Sequence, residues 1–521
     1  MIAYLNVLLY LFLYLPSCTN NKKHTADSKG NNDPLDIEIT YNTQAPEVEP
    51  LLYGTSTSSM YWQTNPNTPA FATLVDSLHM NVMRWPGGTL AQFYHWDKPG
   101  YGLIQTEISA LHSSYANSLK NQNAYVDEKS STRRYIDDFV LLAQKSNAQV
   151  LVCANLVTAS DEENIALLDF LTEKNIKLCG VELGNELYLP RMRGVFNDDV
   201  QQYINRSKTL TEKIKKKYPS LPVAVCAAPI RDIADENPPA GSEAAFFSNW
   251  NQKLSKQQYY DAVILHYYFP IPCDGTLQDV FTCATGELND ITGKDFRTGI
   301  DMYRNTFGSK PFWITEWNIA TKATQGRYGN TLLQNFFITR FYDAMNAVNA
   351  KYPGQIGLAT YQTLAGDVYG SCMIMDKNKR ETYTDTLANP YIRKMPYYAH
   401  QLIRHRYTGK MIYCDVKSNR SDIYLSAYYN KTTGALELHI EHIGKEPIRI
   451  NSIMVNGKAI STSGVVSGLM MHAPSLYAGY GLNKADIELS NHEIPKFLNI
   501  SDVLKNITIS KYSYGYLQLN P

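Results

Sequence analysis

Two acidic residues close apolar runs of this chain: Glu186 in VELGNELYLP (181–190) and Glu316 in PFWITEWN (311–318). An ionisable group at the end of a buried strand must be paired or have a task, because an unpaired buried charge is costly. Two carboxyls held ~5–5.5 Å apart can cleave a glycosidic bond with retention, one as nucleophile and the other as acid and then base. That division of labour needs unequal acidities: an ionised nucleophile beside an acid that stays protonated near neutrality. Burial and neighbouring negative charge are expected to raise Glu186, while donors such as Arg84 and Tyr268 are expected to keep Glu316 ionised.

The elements that must position these residues can be read from hydrophobic pattern. Eight short apolar runs qualify as strands: LLYGTS (51–56), NVMRWPG (81–87), VLVCANL (150–156), KLCGVELGNE (177–186), PVAVCAAP (222–229), AVILHYYF (262–269), PFWITEWN (311–318) and IGLATYQT (356–363). Amphipathic segments such as RRYIDDFVLLAQKS and GNTLLQNFFITRFYDAMNAV fall between most of them. Strands lacking period-two alternation, separated by helices, predict an α/β fold, a (β/α)8 TIM barrel over 50–404. After about residue 405 the texture changes to short β-branched and aromatic runs with turn signals, such as DIYLSAYY and ALELHIEHI, which predicts a C-terminal antiparallel β-sandwich over 405–521. A strand at 37–49 is expected to join that sandwich.

Residues 1–18 read as a signal peptide, because a short apolar run is followed by Pro16-Ser17-Cys18. LPSC resembles a bacterial lipobox, which implies membrane attachment through a lipidated Cys18. Residues 19–36 are polar and read as a disordered tether. The formal net charge is zero, which argues against nucleic acid as a partner. Cys153, Cys179 and Cys226 lie in strand-like runs and read as buried thiols, whereas Cys273 and Cys283 bracket a loop and could pair. Neither the cysteines nor the histidines show metal-ligand spacing, and hydrolysis by two carboxylates implies no cofactor.

In such a barrel, chemistry gathers at the C-terminal ends of the strands. Arg84 ends the second run, Asn155 the third, Asn185 and Glu186 the fourth, His266, Tyr267 and Tyr268 the sixth, Glu316 the seventh, and Gln362 the eighth. Glu186 and Glu316 are the catalytic candidates; Arg84, Asn155, Asn185, His266, Tyr268, Trp317 and Gln362 are the substrate-binding candidates. Glu182 shares the strand parity of Glu186, so it is read as structural and in need of a buried partner. Tyr61, Trp62, Tyr94 and Trp96 are candidate stacking platforms, with core packing as the competing account. The loops 188–194 and 273–283 would overhang the same rim.

GNE at 184–186, EWN at 316–318 and RWPGG at 84–88, in that order, resemble the motifs of the clan A glycoside hydrolases. Within that clan the chain is most similar to the α-L-arabinofuranosidases of glycoside hydrolase family 51, through RWPGGTLAQFYHW, HYY at 266–268, YQ at 361–362 and LLYG at 51–54. The resemblance implies Glu186 as acid/base, Glu316 as nucleophile, and Arg84, Asn185, Tyr268 and Gln362 as their supports. Two positions depart from the family pattern. Ser58 stands near the place of a family Glu that grips a sugar hydroxyl, and Thr89 follows PGG where the family has Asn. A likeness to the heparanase and β-glucuronidase group, family 79, shares GNE and the sandwich; against it, the rim offers only Arg84, Arg191 and Arg193 as cations for a uronate.

The expectation is therefore an exported retaining glycoside hydrolase acting on plant or algal polysaccharide, arabinofuranosidase-like in its most favoured form. A β-glycosidase or glucuronidase of the same clan is the alternative. A non-catalytic carbohydrate-binding lipoprotein would be expected to have lost one of the two carboxylates. The sugar, the linkage and the oligomeric state are not legible.

Overall fold

The computed structural model describes residues 33–111, 132–189, 199–230, 241–270, 288–320, 331–366, 370–375, 391–476 and 496–520, apart from single positions within them. A few isolated residues between these ranges are also described. The expected signal peptide and Cys18, Trp62, Arg191, Arg193 and Cys273 lie outside the described residues.

Eight parallel strands form the barrel: β2 (Gly54–Ser56), β3 (Val82–Trp85), β4 (Gln149–Cys153), β5 (Leu178–Leu183), β6 (Val223–Cys226), β7 (Ala262–Pro270), β8 (Phe312–Ala320) and β9 (Ile356–Ala359), hydrogen-bonded in that order. Ser56 N donates to Tyr361 O at 2.8 Å and Tyr361 N to Gly54 O at 2.9 Å, which joins the last strand's end to β2 and closes the ring. Helices cover the outside, so both faces of each strand are dry; this is why β3 and β6 are buried at every position. Side-chain oxygens of Thr68, Ser160, Asp199 and Ser242 accept from the first free backbone N–H groups of four of these helices.

The preceding strand, β1 (Leu35–Thr40), starts inside the stretch read as a tether. Leu35, Ile37 and Ile39 bury one face while Glu38 and Thr40 face solvent, the period of a half-buried strand. It lies in the second sheet between strands 411–418 and 448–455. That sheet is mainly antiparallel, has ten strands, and is otherwise built from residues 411–519.

Between barrel and sandwich runs the helix Leu332–Lys351, buried on nearly all sides. Its polar residues are consumed there: Arg340 Nε donates to Glu441 Oε2 at 2.7 Å, and Tyr424 donates to Asp343 at 3.1 Å. Arg406 adds a 2.7 Å bond to Glu437 Oε1. These buried hydrogen bonds join the helix and the residues after the barrel to the second sheet. Among the described residues, no helix is long and apolar enough to cross a membrane.

Candidate active site

Alternation along β3 sends Trp85 outward, where it stacks on Phe139 at 4.4 Å, and Arg84 into the barrel. Arg84 is fully buried and its guanidinium has three partners. Nε donates to Glu182 Oε2 at 2.6 Å, Nη1 to Glu316 Oε1 at 2.7 Å and Nη2 to Asn185 Oδ1 at 2.7 Å. The planar fork thus ties the ends of β5 and β8 together, and it is the buried partner that Glu182 requires. Close approach demands the two glycines that follow: a Cβ on Gly87 (φ 68°) would lie 2.9 Å from Arg84 Nη1, and one on Gly88 (φ 66°) 3.0 Å from Ser58 Cβ.

A bulge in β8 decides which residues face the mouth. Leu265 of β7 pairs with Ile314, but the next pair is His266 with Glu316, so Thr315 is an extra residue. Both Thr315 and Glu316 consequently reach His266. Strict alternation from Trp313, whose ring packs over Gly180 in the barrel floor, would have turned Trp317 inward. Instead Trp317 is fully buried among Phe341, Tyr342 and Tyr361, and its Nε1 meets no acceptor among the described residues. The reading of Trp317 as a substrate-binding residue is corrected by that register shift.

His266 bridges the two carboxylates. Its Nδ1 lies 3.0 Å from Glu186 Oε1 and 3.8 Å from Glu316 Oε2, and its Nε2 lies 3.1 Å from Thr315 Oγ1. One oxygen of each Glu and one ring nitrogen all fall within 4.8 Å of one another. Tyr268 donates to Glu316 Oε2 at 2.6 Å. Burial opposes ionisation of Glu316, but His266, Arg84 and Tyr268 outweigh it and hold its pKa down at about 2. Burial likewise disfavours the charged His266 ring, yet the Glu316 and Glu186 carboxylates hold its pKa above the ordinary value. Burial, then the charge of Glu316, pushes Tyr268 far up, so its hydroxyl stays a donor.

Glu186, His266 and Glu316 are close enough to gather around a cation. Both oxygens of Glu316, however, already accept from Arg84 and Tyr268, and a guanidinium at 2.7 Å competes with a metal ion for the same lone pairs. The arrangement sets an ionised carboxylate facing a second carboxyl.

Gln362 also reaches the rim. Its Nε2 donates to Ser58 Oγ at 2.6 Å, while its buried Oε1 has no partner among the described residues. Asn155 is not brought into this group. Its Oδ1 accepts from the backbone of Val157 and Thr158, and its Nδ2 donates to Tyr94 O and Thr158 Oγ1. The substrate-binding reading of Asn155 is therefore corrected: its amide is spent on its own turn and on the neighbouring loop. Core packing also claims the proposed platforms. Tyr61 stacks on Tyr135 at 3.6 Å, Tyr94 accepts from Trp85 Nε1 at 2.9 Å, and Trp96 packs on Phe170 at 5.0 Å. Sequence reasoning missed Thr315, whose signal is a register shift, and Gln92, which donates to Asn185 O from a loop more than 90 residues away. The thiols of Cys153, Cys179 and Cys226 are unbridged.

No protein-family model matches the chain. It is 21% identical over 269 residues to an intracellular exo-α-(1→5)-L-arabinofuranosidase of Acetivibrio thermocellus, covering 47% of this chain and 48% of that protein. The chain thus spans about half the length of the curated relative it matches. The crystal structure of a family 51 arabinofuranosidase from Xanthomonas axonopodis pv. citri superposes with a TM-score of 0.63 at 12% identity, covering 93% of this chain and 99% of that one. A family 44 xyloglucanase from Paenibacillus polymyxa superposes with a TM-score of 0.55 at 12% identity, over 94% and 99% of the two chains. These likenesses establish the fold: a (β/α)8 barrel with a C-terminal β-sandwich, the architecture of the family 51 arabinofuranosidases.

Proposed function

We propose that this chain is a retaining glycoside hydrolase. The observation that carries the reading is that one oxygen of Glu186 and one of Glu316 lie within 4.8 Å of each other, an approach compatible with the ~5–5.5 Å carboxyl separation of retaining pairs. Glu316, held ionised, attacks the anomeric carbon as Glu186 gives its proton to the departing glycosidic oxygen. A covalent glycosyl ester on Glu316 results. Glu186, now a carboxylate, takes a proton from water, and the water oxygen displaces Glu316 to release the sugar. His266, 3.0 Å from Glu186 Oε1 and 3.8 Å from Glu316 Oε2, supports the ionised Glu316 and orients Glu186 beside it. Arg84 holds Asn185 by its Oδ1, which leaves the Asn185 amide N–H groups as donors for a substrate hydroxyl.

An α-L-arabinofuranoside is the favoured substrate, supported by the motif resemblance and by the activity named for the Acetivibrio thermocellus relative. Export, with attachment through a lipidated Cys18, completes the proposal. The test is a panel of aryl glycosides comprising α-L-arabinofuranoside, β-D-xyloside, β-D-galactoside, β-D-galactofuranoside and β-D-glucuronide. Hydrolysis of the arabinofuranoside, abolished in Glu316→Ala and rescued by azide in Glu186→Ala, is expected. Turnover of the glucuronide or a β-glycoside alone would replace the sugar but keep the mechanism. No hydrolysis of any aryl glycoside or polysaccharide by the folded protein would leave a carbohydrate-binding role.

A further inference from the structure

Beyond Leu183 the chain leaves the β5 ladder and turns through Gly184 (φ 86°), Asn185 and Glu186 (φ 47°). A glutamate in the left-handed region is disfavoured by contact between its Cβ and the backbone, so surrounding contacts must impose the conformation. Four successive carbonyls are held there, three of them by donors from other elements and the fourth by the turn's own backbone. Leu183 O accepts from Tyr203 OH at 2.9 Å, Gly184 O from the Cys226 thiol at 3.1 Å, and Glu186 O from Leu189 N at 3.0 Å. Asn185 O accepts from Gln92 Nε2.

Gln92 differs from the other donors in its origin. It comes from the short 3-10 segment Thr89–Phe93 after β3, whereas Tyr203 lies on the helix Val200–Lys217 and Cys226 on β6. Its side chain is fully buried, and its Oε1 has no hydrogen-bond partner among the described residues. A buried amide with an idle carbonyl carries a desolvation penalty, so what the position uses is the N–H. The loop that carries it is itself pinned. Thr158 Oγ1 donates to Gln92 O at 3.4 Å, Asn155 Nδ2 donates to Tyr94 O at 3.1 Å, and His95 sits between Glu163 at 2.8 Å and Glu107 at 2.9 Å.

We infer that Gln92 is a positioning residue for Glu186: by holding the Asn185 carbonyl it fixes the peptide plane from which the Glu186 side chain departs. The inference rests on the acid/base role proposed for Glu186. Its consequence is selective, because a displaced Glu186 impairs proton delivery to the leaving group and leaves attack by Glu316 intact.

The test compares Gln92→Met, which keeps length and removes the N–H, and Gln92→Glu, which keeps shape and offers an oxygen in its place, with Glu186→Ala. Each is assayed on the 2,4-dinitrophenyl and p-methoxyphenyl glycosides of the sugar that the wild type cleaves. For the first-step rate, kcat/KM, both Gln92 variants are expected to lose ~10–100-fold on the poor p-methoxyphenyl leaving group and less than ~3-fold on dinitrophenyl, which departs without a proton. Equal losses on both substrates, or none, in a variant whose circular dichroism matches the wild type would overturn the inference. Two isosteres of opposite polarity are used so that failure of one to fold leaves the other to decide. If Glu186→Ala itself shows no leaving-group dependence, the acid/base assignment fails instead.

Discussion

Replacing Tyr268 by Phe removes one oxygen and little else. The hydroxyl donates to Glu316 Oε2 at 2.6 Å, and it is one of three groups, with His266 and Arg84, that hold this carboxyl near pKa 2. A hydrogen bond to a charged group contributes ~1.5–3 kcal/mol, which at 1.36 kcal/mol per unit is ~1–2 pKa units. Glu316 in the variant should therefore titrate near ~3–4. With Glu316 as the proposed nucleophile, which must be ionised to attack, the acid limb of kcat/KM reports its titration in the free enzyme. That limb should move up by ~1–2 pH units, and the rate at the optimum should fall roughly tenfold through loss of one charge-assisted contact. The fold is affected in the same direction. A carboxyl whose folded pKa lies below its unfolded value stabilises the fold above the ordinary carboxylate range, and that contribution is lost as pH falls toward the folded value. Raising the folded pKa narrows the window, so the variant should unfold at a higher pH on acidification. The assay is kcat/KM on an activated aryl glycoside across the acid range, with circular dichroism read at each pH. An acid limb that stays in place, or moves down, while the protein remains folded would refute this account of how Glu316 is kept ionised.

Two further perturbations probe the supports. Gly87→Ala places a Cβ 2.9 Å from Arg84 Nη1 at a φ of 68°; it should cost ~1–3 kcal/mol in thermal or urea unfolding and lower kcat with it, and unchanged stability would contradict the tight packing described. Glu441, in the barrel–sandwich interface, is pushed up to about 8 by burial, which outweighs the Arg340 guanidinium beside it. Its folded pKa lies above its unfolded one, so the stability it contributes is present below the unfolded value and is lost as pH rises through about 8. Glu441→Gln, always neutral, should flatten that slope, so its melting temperature should gain on the wild type as pH rises. A loss that is the same at every pH would show instead that the ionised Glu441 is what Arg340 requires.

The sequence made the barrel legible because both-sided burial leaves plain apolar runs, and it made the rim legible because polar residues at their ends stand out. Arg84, Asn185, Glu186, His266, Tyr268, Glu316 and Gln362 all sit at such ends, and the structure gathers them at one mouth. What failed depended on register and on long-range partners. One extra residue in β8 turned Trp317 away from the mouth and Thr315 toward it, and no residue type announces such a bulge. Asn155 stands at a strand end like the others, but whether an amide serves a ligand or its own turn depends on the loop beside it. Gln92 is an ordinary loop residue until the fold brings it against Asn185. β1 begins at Leu35 because its apolar face is completed by the sandwich, a context absent from the local composition.

The most direct measurement is the anomeric configuration of the first product. Cleavage of an aryl glycoside in the presence of methanol, followed by proton NMR of the methyl glycoside formed, reads it before mutarotation can blur the result. With one oxygen of Glu186 within 4.8 Å of one of Glu316, the methyl glycoside is expected to have the same configuration as the substrate. An inverted first product, or none of the methyl glycoside while hydrolysis proceeds with inversion, would contradict the double displacement on which the reading rests.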